Sequence, residues 1–181
     1  MSRQVDKRVL GVCAAAMAVM IAATLALRGT DHEGLHAAIR NTARSSAFFF
    51  ALFFLASPLD RLWPSRFMRA WAAAADAFLV ALAVSHTAHG VFIILAHAWD
   101  LPSLVALVIY AAIYALAFYA LAGRSGGWIE SVSIYAVWFA FTVALGGRAL
   151  SSPIYAAATA ILVAGLLLRI VAGLRTAPAA A

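Results

Sequence analysis

Apolar residues in this chain fall into six long runs separated by short polar or basic breaks: residues 9–27, 46–62, 78–99, 102–123, 128–145 and 153–174. A helix needs about 20 apolar residues to cross the hydrocarbon core of a bilayer, and each run is close to that length. The pattern therefore predicts six transmembrane helices and no strand. It gives an all-α, polytopic bundle: residues 1–8 form a cytoplasmic N-terminus, 9–175 the six-helix membrane domain, and 176–181 an Ala-rich, disordered tail.

Between the first two runs, Thr30-Asp31-His32-Glu33 has the form of a capping box, with Thr30 accepting from the backbone and Glu33 reaching back to it. A surface helix over about 31–45 is expected there, lying on the outer face before the chain turns into the second span. His32 and His36 are four apart on that helix and have the spacing to share a metal with Glu33, although the same spacing arises by chance on wet helices. In the second run, Phe48, Phe49, Phe50, Phe53 and Phe54 serve packing and lipid contact. The first run follows Arg3, Lys7 and Arg8 as a signal-peptide core would. It is too long for one and reaches Arg28 without a polar cleavage region, so it is read as a retained span.

Composition agrees. A chain of 181 residues that is 66% hydrophobic and 11% charged, with a mean hydropathy of +0.96, is a membrane protein of one bundle. Basic residues orient it. With the N-terminus inside, the inner segments hold Arg3, Lys7, Arg8, Arg61, Arg66, Arg69, Arg124, Arg169 and Arg175, against Arg28, Arg40, Arg44 and Arg148 outside. Both termini are therefore expected in the cytoplasm, and the net charge of +6 faces anionic lipid headgroups rather than nucleic acid. Trp63, Trp71, Trp99 and Trp128 fall near span ends, where interfacial aromatics belong.

Two kinds of chemistry drop out. The single Cys13 leaves no partner within the chain for a disulfide or dithiol motif. No glycine-rich loop follows a strand pattern, and Gly123-Arg124-Ser125-Gly126-Gly127 is a short inter-helix turn. If the protein moves electrons, a separate donor protein must supply them.

The remaining polar feature is Ser85-His86-Thr87-Ala88-His89, deep in the third apolar run. An unpartnered polar group facing hydrocarbon costs several kcal/mol, so histidines at this depth are functional candidates. On a helix they lie about 300° and about 4.5 Å apart, on one face. They cannot both be axial ligands of one haem, which approach from opposite sides of the porphyrin. The other reading makes them interhelical hydrogen-bond glue, with partners such as Ser131, Ser133 or Tyr135. His97 lies eight residues beyond His89, at the outer edge.

The stretch Asn41-Thr42-Ala43-Arg44-Ser45-Ser46-Ala47-Phe48-Phe49-Phe50, with Ala56-Ser57-Pro58-Leu59, Arg61-Leu62-Trp63-Pro64 and Leu82-Ala83-Val84-Ser85-His86-Thr87-Ala88-His89, resembles the ferric reductase-like transmembrane domain. It is similar to the small bacterial members of that superfamily, among them the haem-binding membrane subunit of the periplasmic methionine sulfoxide reductase system. Residues 128–138, 148–150 and 153–155 fit as well. The resemblance implies transmembrane electron transfer through haem b, held by histidines on the third and fifth helices, in a bacterial inner membrane. His89 matches the haem-ligand position, and His86 the additional histidine of the small bacterial subgroup.

Two positions depart from the family. Its Leu-His-Arg motif at the start of the fifth helix reads Ile129-Glu130-Ser131 here, so Glu130 stands where the second axial histidine is expected. Its Arg-Arg pair before the third helix reads Ala75-Asp76. No histidine follows His97, so a second one would come from His32, His36 or another subunit. Two readings stay open: a b-type cytochrome with His89 as ligand, and a haem-free membrane interaction or assembly subunit. In the second, Asp76 and Glu130 would pair with Arg69 or Arg124 to set helix register. The small residues Ala73, Ala74, Ala75, Ala77, Ala81 and Ala88 would pack the third helix closely, with no porphyrin-sized cavity.

Overall fold

The computed structural model describes residues 5–96, 104–124 and 126–176. Among these it is wholly helical: α1 Lys7–Arg28, α2 His32–Leu62, α3 Arg66–Ala73, α4 Ala75–Leu95, α5 Leu104–Leu121, α6 Trp128–Gly146, a 3-10 turn Ala149–Ser151, and α7 Pro153–Thr176. Six of the helices, all but α3, are long and apolar enough to cross a membrane. The chain is thus a multi-pass membrane protein in architecture. His97, Trp99 and residues 177–181, including the predicted disordered tail, lie outside the described residues.

Helices α2 and α4 form the centre of the bundle. α1 packs across both, α5 against α4, α6 against α5, and α7 closes back onto α2 and α6. The core between them holds Phe50, Phe54, Leu79, Leu82, Ile113, Leu116, Val137 and Leu162. Phe49 and Phe53 are buried with them while Phe48 faces outward, which divides the phenylalanine run between core and lipid. Large apolar side chains exposed on α1, α5 and α7, such as Val19, Leu107, Phe118 and Leu167, form the surface a bilayer would solvate.

The segment expected as a separate surface helix over 31–45 is instead the first half of α2, continuous with the second span. The hydroxyls of residues 42–46 explain the continuity. Thr42 donates to the Ala38 carbonyl at 2.7 Å and Ser46 to that of Thr42 at 2.9 Å, so both close onto their own helix and shed no backbone bond. Asp31, not Thr30, caps the helix by accepting from the Gly34 N–H at 3.0 Å. Glu33 turns to Arg28, 3.6 Å away, instead of to the helix start or a shared metal. A Cβ on Gly34 would fall 1.9 Å from the Gly29 carbonyl oxygen, and Gly29 itself has φ +82°. The α1–α2 turn is therefore built on two glycines.

The third span starts three residues earlier than its hydrophobic run, because α3 leads into it. Ser65 caps α3 through the Met68 N–H, and the chain bends at Ala74 before α4. The Trp71 indole N–H donates to the Leu52 carbonyl at 3.0 Å and fastens α3 to α2. Trp63 and Trp128 are exposed at helix ends, as expected.

Candidate functional site: a cavity of histidines and arginines

The two central histidines stand on α4, and the partners they find there are not the expected ones. His89 Nδ1 lies 3.0 Å from the Ile39 carbonyl oxygen on α2. A carbonyl can only accept, so Nδ1 carries the proton, which in the neutral ring leaves the lone pair on Nε2. The Thr42 hydroxyl, already donating to the Ala38 carbonyl, is 3.4 Å from the same nitrogen. His86 is buried, lies against Tyr110 at a tilt of 45° with ring centroids 4.5 Å apart, and has Phe141 at its edge. Its Nδ1 is buried and, among the described residues, without a hydrogen-bond partner. Ser131, Ser133 and Tyr135 on α6 bond to neither ring; the register of α6 sets Phe141 against His86 instead.

Beside the imidazoles, hydroxyls tie α2 to α4. Ser85 Oγ is 2.6 Å from Ser45 Oγ and 3.1 Å from Ser46 Oγ, and it reaches the Thr42 carbonyl at 3.1 Å. Nothing in the spacing of Thr42, Ser45 and Ser46 alone distinguished them from solvated residues, and their partner lies forty positions away. On the far side of α4, Tyr110 donates to the His86 carbonyl at 3.3 Å, and a Cβ on Gly90 would sit 2.7 Å from the Tyr110 hydroxyl oxygen. The glycine thus lets α5 approach closely enough to position His86.

His86 and His89 open onto a cavity of about 630 Å³ between α2, α4, α6 and α7, which is also lined by His36, Arg40, Arg44 and Arg148. Ile93, Phe141 and Leu145 supply its apolar wall. Tyr155 steadies the rim: its hydroxyl accepts from Arg44 at 3.2 Å, and the guanidinium lies 5.3 Å from its ring centroid. The volume is within the roughly 300–1,000 Å³ of pockets that enclose cofactor-sized molecules. His36, Arg40 and Arg44 recur every four positions and share one helix face, a signal that could have marked them together. That face belongs to the site once α2 is a single helix.

The close-packed alanines and the cavity coexist. Ala75, Ala77 and Ala81 are buried in the first half of α4 and Ala74 just ahead of it, while the cavity opens past His86, one to two turns further on. Asp76 is buried in the first turn of α4. Glu130 is at the same end of the bundle, distant along the helices from the histidines. It accepts from the Gly126 N–H and lines a second cavity with Asp60, Arg61, Ser131 and Arg169. Arg69 is on α3 and Arg124 follows α5; the guanidiniums sharing Glu130's cavity are Arg61 and Arg169. Arg169 donates to the Phe54 carbonyl at 3.0 Å and lies 4.3 Å from the Phe54 ring centroid.

His32 and His36 meet at 3.1 Å between their Nε2 atoms. Among the described residues no group of three or more His, Cys, Asp and Glu side chains is placed to hold a bare metal ion. Compared with known proteins, the chain matches no family model, no curated protein and no solved structure.

Proposed function

We propose that this chain is an electron-transfer subunit of a bacterial inner membrane that holds haem b in the cavity between α2, α4, α6 and α7. The observation that carries the reading is the state of His89. Its Nδ1–H is fixed on a backbone carbonyl, the arrangement that orients a metal-ligating imidazole and raises the basicity of its other nitrogen. The donor set around it fits the group as well. Three guanidiniums at the rim match the two carboxylates of an anionic tetrapyrrole, and an apolar wall matches its macrocycle. The resemblance of residues 41–64 and 82–89 to the ferric reductase-like domain supports the same assignment.

When bound, the haem supplies a one-electron iron couple. The chain's own residues do the rest. His89 would hold the iron, Arg40, Arg44 and Arg148 would pair with the carboxylates, and Phe141, Ile93 and Leu145 would keep water out, lowering the local dielectric and so tuning the potential. In this reading a separate protein would serve as electron donor or acceptor.

A second reading, a haem-free membrane interaction or assembly subunit, draws on Glu130. The residue at the family's second ligand position has turned to a cavity with Arg61 and Arg169. A pyridine haemochrome assay on protein purified in detergent after expression with haem supplied decides between them. About one haem per chain is expected, and a ratio near zero leaves the haem-free subunit.

A further inference from the structure

The proposed haem lacks an evident second axial ligand, and the cavity itself narrows the choice. Glu130 lines a different cavity at the opposite end of the bundle. His86 shares α4 with His89, three residues away, with ring centroids 5.4 Å apart, so the two approach from one helix. Of the other side chains lining the His89 cavity, only the His36 imidazole and the Tyr155 phenol have a lone pair that iron accepts. Tyr155 is engaged with Arg44 through both its hydroxyl and its ring face, so this phenol is committed to holding the guanidinium at the rim.

We infer that His36 of α2 supplies the second axial ligand opposite His89 of α4, an inference that rests on the haem reading above. His36 is half-buried, lines the cavity from a different helix than His89, and stands one turn before Ile39, the residue whose carbonyl orients the His89 ring. Its only side-chain hydrogen bond among the described residues is to another imidazole, His32, at 3.1 Å. That contact is exposed to competition from water and is cheap to exchange for a metal bond. The ligand pair would then clamp α2 to α4, the two central helices, beside the hydroxyl cluster that already joins them.

The test is the spin state of the haem in the full chain, purified in detergent with haem supplied. Wild type is expected to be six-coordinate and low-spin in both oxidation states, and silent to carbon monoxide. His36→Ala should keep near-stoichiometric haem but become high-spin and bind carbon monoxide, and added imidazole should restore the low-spin spectrum. His36→Met should remain six-coordinate with shifted bands, which guards against misfolding of the alanine variant, and His32→Ala should match wild type. A low-spin, carbon monoxide-silent His36→Ala, or a wild type that is itself high-spin, overturns the assignment of His36 and leaves the haem reading standing. Absence of haem from the wild type overturns both.

Discussion

At the scale of single residues, the account depends on hydrogen bonds that leave one nitrogen of an imidazole available. His89 is the clearest case, because the Ile39 carbonyl fixes which nitrogen carries the proton. His89→Ala is expected to abolish haem retention, measured as the Soret absorbance per chain. His86→Ala, which removes a ring packed against Tyr110, is expected to keep the band and shift it. A second prediction concerns the α1–α2 turn. Gly34→Ala drives a methyl group into the Gly29 carbonyl and is expected to destabilise the bundle by roughly 1–3 kcal/mol. Thermal unfolding in detergent reads this directly, and an unchanged melting temperature would show that the turn opens freely.

At the scale of helices, α2 is the element whose reading changed most between sequence and structure. The six spans were legible because burial in hydrocarbon demands long apolar runs. That the expected surface helix runs on through Ser45 and Ser46 into the second span without a break was not legible, because hydroxyls favour turns unless something satisfies them. Here the Ala38 and Thr42 carbonyls and Ser85 do so, and that last partner is set by packing against α4. The imidazoles of the site could be picked out from their depth alone. Their partners could not, since Ile39 and Tyr110 carry no local mark of the role. Ser85→Ala is expected to cost about 0.6–1.7 kcal/mol, the range of interhelical hydrogen bonds in membranes, in a denaturation series. Glu130→His, which restores the family's residue, is expected to leave any haem spectrum unchanged, because position 130 opens onto the Arg61 and Arg169 cavity.

Across the whole molecule, polar chemistry is sorted to the two ends of an apolar bundle. One end gathers His36, Arg40, Arg44 and Arg148 around a cavity, and the other gathers Asp60, Arg61, Glu130 and Arg169. The basic-residue count expects the first end outside and the second in the cytoplasm, which would direct the haem carboxylates outward. Reporter fusions at the C-terminus, one active only in the cytoplasm and one only outside, test that orientation; activity of the cytoplasmic reporter alone is expected. Arg44→Ala combined with Arg148→Ala should weaken haem retention, while Arg169→Ala at the far end should not.

The central claim is that the cavity beside His89 holds a redox-active haem. The most direct measurement is a reduced-minus-oxidised absorbance spectrum of the detergent-purified protein expressed with haem supplied, with His89→Ala recorded beside it. The account predicts a Soret shift with sharp α and β bands in the wild type and none in the variant. A featureless wild-type spectrum, or an identical pair of spectra, would contradict it.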